Sequence, residues 1–377
     1  EITSGFTTTG SSVISDVEIL PRGILFWRSL THWIGGMGIV VLYIALLPAL
    51  GGNNFQLYRA EASGLTVDKT ATRIKDTART LWLVYIIISM LSVILLLFGG
   101  MSFFDSLCHT FGAVATGGYS TKNLSMAAYS PYLQWVIFFV MFAGGINFIL
   151  HYHAFKGKPF NYFKDEEFRF YCAVLLVNIL IVAGVLYHDN LSQSPIRDAA
   201  FQVMSLSTST GFATTDFNLW PDILKYLLLL SMIFGGCGGS TSAGIKQIRL
   251  LLTFKSFGRA AAHILSPNSV VPVKINNKPL SDNMMIGLLT FFALYVFTVV
   301  IGVYLLLVFE SCDLMTAVSA AVTTVGGVGP GFNKVGPMAN FGWMTDQSKW
   351  VLSFLMLAGR VELYTMFLLF SPVTWKK

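Results

Sequence analysis

The stretch Leu206–Phe212, LSTSTGF, constrains this chain more than any other. It joins small hydroxyl residues to glycine and makes a poor helix, because Ser and Thr compete for backbone hydrogen bonds and Gly loses entropy. A short amphipathic segment (Ile196–Ser205) precedes it and a polar turn (Ala213–Asn218) follows. The chain repeats this arrangement at Thr7–Ser11 (TTTGS), Val114–Gly118 (VATGG) and Thr323–Gly327 (TTVGG). Aligning Gly10, Gly117, Gly211 and Gly326 spaces the copies roughly a hundred residues apart, a long-period internal repeat. Any fold for this chain must accommodate the same irregular segment four times.

The intervening runs identify the solvent. With 54% hydrophobic and 12% charged residues, the 377-residue chain carries about half the usual charged fraction. Apolar spans of about twenty residues read at Ile24–Leu50, Leu81–Gly100, Tyr132–Phe155, Phe170–Tyr187, Asn283–Phe309 and Lys349–Phe370, while Trp220–Phe234 starts a span that breaks. Ser102–Ala115, Ile196–Ser205 and Asp313–Thr323 are too short to cross and are expected to be re-entrant half-helices. Irregular backbone at membrane depth is tolerated only inside protein or beside a wet cavity. The carbonyls of Ser209, Thr210 and Gly211 are therefore expected to face a water-filled path. The four cysteines are scattered singly, which argues against a disulfide or zinc framework. Glu1 enters directly on the first copy, with no signal peptide visible and no helix before it, so the sequence is expected to be a fragment or to omit the first part of its chain.

Charge sets the orientation. The 51–79, 156–169 and 246–282 stretches hold fifteen Lys and Arg residues, against five on the opposite side (Arg22, Lys122, Arg197, Lys334 and Lys349). The positive-inside rule places the basic loops in the cytoplasm and all four glycine segments outside. The net charge of +6 thus reflects loop asymmetry rather than a nucleic-acid surface. The expected fold is an all-α integral membrane protein of four pseudo-symmetric units, each helix, pore half-helix, filter segment and helix, around one central pore. The units read as 1–50 (filter and inner helix only), 80–155, 168–265 and 283–371, with cytoplasmic loops at 51–79, 156–167 and 266–282.

Half-helix C-termini carry partial negative charge and, converging, would favour a central cation. Rings of backbone carbonyls can replace an ion's hydration shell, and glycine reaches the backbone angles that such a ring needs. The candidate cation ligands are Thr8, Thr9 and Gly10; Ala115, Thr116 and Gly117; Ser209, Thr210 and Gly211; and Thr324, Val325 and Gly326. The inner helices share a second signature: HWIGGMG, FAGGINF, FGGCGGS and LAGRVEL. Aligning Gly35, Gly144, Gly235 and Gly359 puts Gly36, Gly145, Gly236 and Arg360 in one layer. An arginine at mid-span costs at least ~2.5–3.5 kcal/mol on insertion scales, which marks it as functional. Gly235–Gly244, GGCGGSTSAG, cannot sustain a helix and reads as a loop crossing beneath the filter. Gly239-x4-Gly244 imitates a phosphate loop, but Lys246 falls one place late and no strand precedes it.

On these motifs the chain resembles, over essentially its whole length, the TrkH family within the Trk/Ktr/HKT superfamily of potassium transporters, and the resemblance implies that the family's N-terminal helices, including the first helix of unit one, lie outside this sequence. The resemblance implies potassium uptake through a filter with a hallmark glycine in each copy, carried here to Gly10, Gly117, Gly211 and Gly326. Val325, where the other copies have Thr, implies a filter of lower symmetry. The resemblance also implies an intramembrane gating loop, including Gly235, Gly236, Gly238, Gly239, Gly244 and Lys246. Arg360 would then lie in the permeation path and hydrogen-bond the loop's carbonyls. It further implies potassium (with rubidium and caesium as analogues) as substrate rather than a bound cofactor. A homodimer in a bacterial inner membrane, surrounded by lipid and regulated by TrkA, a cytosolic nucleotide-binding ring, is implied as well.

Other polar groups read more plainly. His151 and His153 face different sides and suit interfaces rather than a metal, and His109 stands alone in a half-helix. Lys164-Asp165-Glu166-Glu167 reads as a solvated cytoplasmic turn. GxSxG and HExxH are absent, which argues against an intramembrane enzyme. A potassium symporter coupled to protons or sodium is the alternative, with Glu362 and Asp313 the titratable candidates.

Overall fold

The computed structural model describes residues 1–46, 71–266, 272–280, 282–361 and 363–368, and it is almost wholly helical. The first unit contributes α1 (Ile2–Phe6) and α2 (Arg22–Leu46). The second has α3 (Ala71–Phe98), α4 (Phe103–Val114), α5 (Pro131–Gly144) and α6 (Phe148–Phe155). After α7 (Asn161–Lys164) come α8 (Glu166–His188), α9 (Pro195–Ser207), α10 (Asp222–Ile233) and α11 (Gln247–Leu265). A small hairpin, β1 (Lys274–Ile275) and β2 (Lys278–Pro279), leads to α12 (Asp282–Phe309), α13 (Leu314–Gly326), α14 (Asp346–Arg360) and α15 (Leu363–Leu368).

Ala78–Phe98, Glu166–His188 and Met284–Phe309 are long and apolar enough to cross a membrane. Their sequences are apolar all round, and the burial shows why: Val84, Tyr85 and Leu96 of α3 face protein, whereas Leu83, Met90, Leu91 and Phe98 are exposed. An apolar face without a protein partner suits lipid. The half-helices α4, α9 and α13 pack beside these spans.

Two expected spans are broken. Tyr132–Phe155 bends by 102° between α5 and α6. The turn follows Gly144-Gly145, where Asn147 recaps the chain by accepting from the Ile149 N–H (2.9 Å) and His151 Nε2 bonds the Ala143 carbonyl oxygen across the corner (2.8 Å). Likewise the last span stops at Arg360 and restarts at Leu363. Both breaks fall at the aligned glycine layer, although α2 runs straight through Gly35-Gly36.

The acidic run is not a solvated turn. Asp165 accepts from the Phe168 N–H (2.9 Å) to cap α8, and Glu166 and Asp165 bond Asn276 at the hairpin tip. Glu167 is buried. Its partners lie far along the sequence, so local patterning does not reveal them.

An acid stands at or near the start of every half-helix: Glu1, Asp105, Asp198 and Asp313. That placement suits the positive end of the helix dipole. Three of these also anchor the segment that follows the glycine-containing copy. Glu1 accepts from the Val13 N–H (2.9 Å), Asp105 from the Thr121 hydroxyl (2.6 Å) and Asp313 from Asn333 Nδ2 (2.7 Å). The Thr316 hydroxyl, followed by Asn333 and the Thr316 N–H, holds the Asp313 carboxyl below its ordinary pKa. Its stabilisation is thus full above that ordinary value and is lost as pH falls through the lower folded value. Asp313→Ala should destabilise the protein by about 1 kcal/mol, the usual effect of removing an N-cap, read by thermal unfolding in detergent at neutral pH.

Candidate functional site

Four chain segments leave the half-helices in the same conformation. Thr8, Thr116, Ser209 and Gly327 each adopt a left-handed backbone, with φ of 53°, 54°, 54° and 64°. The next residue's N–H reaches back five positions: Thr9 to Ser4 (2.9 Å), Gly117 to Gly112 (2.7 Å), Thr210 to Ser205 (2.8 Å) and Val328 to Thr323 (2.8 Å). This is the helix-terminating Schellman arrangement. A non-glycine residue in that region costs roughly 1–2 kcal/mol, and three of the four positions carry one. Gly10, Gly118, Gly211 and Gly329 follow, again with positive φ (84°, 79°, 85° and 102°).

These last four glycines close a ring. A Cβ on Gly10 would overlap the carbonyl oxygen of Gly117, one on Gly118 that of Thr210, one on Gly211 that of Val328, and one on Gly329 that of Thr9. Each unit therefore backs onto the next, and the fourth returns to the first. The Ser11 hydroxyl donates to the Gly329 carbonyl (3.2 Å) across the same junction. An open cleft of about 140 Å³ has all four glycines in its wall, together with Arg28, whose charge is paired with Glu1.

The ring corrects the sequence alignment in two copies. Thr8, Thr9 and Gly10, and Ser209, Thr210 and Gly211, occupy the expected register. In the second unit the matching set is Thr116, Gly117 and Gly118, one residue later, and Ala115 caps α4. In the fourth it is Gly327, Val328 and Gly329, because Thr324, Val325 and Gly326 remain in the last turn of α13. In this register the middle position is Thr in two copies (Thr9 and Thr210), Gly117 in the second and Val328 in the fourth.

The inner-helix glycines sit against the half-helix ends. A Cβ on Gly35 would overlap the Phe6 carbonyl, and one on Gly359 the Val325 carbonyl, while on Gly144 it would lie 3.1 Å from the Val114 oxygen. Phe6, Val114 and Val325 each stand two residues before the left-handed position. Unit three departs from this pattern, and there Gly235 packs on Ala243 of its own loop.

That loop lies across the end of the ring. Its neck closes where the Gly235 N–H donates to the Ile245 carbonyl (2.9 Å) and the Ile245 N–H to the Ile233 carbonyl (3.0 Å). Thr241 is its hub. The Thr241 N–H donates to the Gly144 carbonyl (3.2 Å) and its hydroxyl to the Val114 carbonyl (2.9 Å). The Ala243 N–H donates to the Ser209 hydroxyl (2.6 Å), and the Gly239 carbonyl accepts from the Phe148 N–H (3.1 Å). Gly236 abuts Gly145, Gly238 bonds Glu167, and Gly239 and Gly244 take positive φ (72° and 71°). The Lys246 ammonium turns inward onto the Ser242 carbonyl. Arg360 is buried and donates through Nη1 to the Thr241 carbonyl (2.7 Å) and through Nη2 to the Gly35 carbonyl of α2 (3.1 Å). The expected loop residues and Arg360 are thus brought together, while Glu362 lies outside the described residues.

Two supports were not legible in sequence. His109 is buried and bridges the Asp105 carbonyl (2.8 Å) and the Ser120 hydroxyl (3.0 Å), tying α4 to the segment beyond the ring. The Ser205 hydroxyl donates to the Phe212 carbonyl (2.6 Å), and Thr323 does the same to Pro330 (2.9 Å), locking two segments equivalently.

The family model described as TrkH, cation transport protein, matches residues 1–377. The Trk system potassium uptake protein TrkH of Salmonella typhimurium is 37% identical over 99% of this chain and 78% of its own length, and that of Escherichia coli K12 shows the same values. The Trk system potassium uptake protein TrkG of E. coli K12 is 33% identical over 99% of this chain and 77% of its own. The crystal structure of the potassium transporter TrkH from Vibrio parahaemolyticus superposes with a TM-score of 0.88 at 34% identity, covering 99% of this chain and 77% of that one. With its four half-helices, its glycine ring and these matches along its whole length, the chain belongs to the TrkH family of cation transport proteins.

Proposed function

We propose that this chain takes up potassium through a channel-like pore whose filter is the ring Thr8–Gly10, Thr116–Gly118, Ser209–Gly211 and 327–329. The closed ring carries the reading: four carbonyls, each set against the glycine of a neighbouring unit, suit a dehydrated monovalent cation. The 235–246 loop lies across the pore, and Arg360 holds it shut from the fourth unit. The membrane potential drives the ion, at roughly 2.3 kcal/mol per unit charge per 100 mV. The pore sits in the bacterial inner membrane with basic loops cytoplasmic, as a homodimer regulated by a TrkA-like ring. The relatives' names as potassium uptake proteins support the substrate. Coupled symport lacks support from Asp313, whose oxygens are engaged by Thr316 and Asn333 at the start of α13.

In liposomes with a potassium gradient and no proton or sodium gradient, rubidium uptake is expected and excess potassium should block it. Uptake that appears only once a proton or sodium gradient is imposed would favour symport instead. Gly211→Ala, with its Cβ on the Val328 carbonyl and φ of 85°, should reduce that uptake by more than about tenfold, since a 1 Å misplacement in a coordinating site can cost ~10²-fold. Arg360→Ala should raise flux severalfold; unchanged or lower flux from folded protein would refute the gating role.

A further inference from the structure

The buried carboxylate of Glu167 is outside the ring and makes no contact with Arg360, yet it grips both ends of the loop. One oxygen, Oε1, accepts from the Gly238 N–H (2.6 Å) and from the Ile248 N–H (3.0 Å). Gly238 lies early in the loop, and Ile248 is in the first turn of α11, where the loop ends. The side chain is 1% exposed, so these bonds take the place of water. A buried N–H group left without an acceptor carries its full desolvation cost, so both bonds tie the loop to α8. The two preceding residues face the opposite way. Glu166 accepts from the Asn276 N–H (3.0 Å), donates its own N–H to Asn276 Oδ1 (3.0 Å) and pairs with Lys255. Asp165 accepts from Asn276 Nδ2 (2.9 Å). Asn276 and Asn277, both with positive φ (46° and 64°), form the tip of the β1–β2 hairpin.

We propose that Glu167 is a positioning residue for the gating loop, and that Asp165-Glu166-Glu167 links this loop rigidly to the hairpin outside the membrane. Three consecutive carboxylates at the start of α8 thus hold the loop on one side and the hairpin tip on the other. Displacing the hairpin moves the start of α8, and with it both ends of the loop. This rests on the conducting-pore reading above, with the loop as its closed element.

The test is rubidium uptake into liposomes by the full chain, with the potassium-to-sodium ratio measured in parallel. Glu167→Ala should raise uptake at least threefold while leaving the ion ratio at its wild-type value, because the ring is untouched. Glu167→Gln keeps an oxygen that can accept from both N–H groups, and should give a smaller rise. Asn276→Asp, which sets a third carboxylate against Asp165 and Glu166, should also raise uptake, by less than Glu167→Ala. Combined with Arg360→Ala, Glu167→Ala should add less than its separate effect, since both act on one element. Wild-type uptake in Glu167→Gln and in folded Glu167→Ala would overturn the clamp, as would a changed ion ratio. An unchanged Asn276→Asp would overturn the link to the hairpin. A wild-type protein that conducts no rubidium overturns the pore reading itself, whereas a conducting wild type with unchanged variants overturns the clamp alone.

Discussion

Four carbonyl oxygens occupy the space that Cβ atoms would need on Gly10, Gly118, Gly211 and Gly329. This steric condition admits only glycine, and it has to be met by four segments far apart in sequence at once. The surrounding structure follows from it. Each half-helix has to stop at one level and reverse into a left-handed residue, a strain of roughly 1–2 kcal/mol that Thr8, Thr116 and Ser209 sustain. The inner helices must then approach the half-helix ends closely, so Gly35 and Gly359 lie on the carbonyls of Phe6 and Val325. Acids at the half-helix starts hold the outer ends in place.

The fourfold pattern is broken in the third unit. The third inner helix ends at Ile233, and the chain makes a loop before α11 begins. Thr241 connects that loop to the second unit's half-helix, and Arg360 connects it to the fourth and first units. A loop held by directional hydrogen bonds to several units is a discrete element with few ways to yield.

Much of this was legible in the sequence, for physical reasons. Four hydroxyl–glycine segments stand out against apolar runs, and a charge at mid-span such as Arg360 is costly enough to draw notice to its position. The ring register was not legible in VATGG and TTVGGVG. Each offers several glycines, and only contact with the neighbouring unit decides which one must lack a Cβ. Gly118 and Gly329 were therefore displaced by one and three positions from the glycines aligned in sequence. The 102° bend after Gly144-Gly145 was hidden because the run is mostly apolar and the corner is held by His151 and Asn147 together with bonds from the distant 235–246 loop. The acidic run looked solvated because its partners, Gly238, Ile248 and Asn276, lie many residues away.

The most direct test of the ring is a crystallographic map with thallium or rubidium in place of potassium. Anomalous density is expected on the pore axis, bounded by the carbonyls of Thr9, Gly117, Thr210 and Val328. Density at the level of Ala115 and Val325 instead, or no axial density, would contradict the register and the carbonyl ring as the site of ion selection.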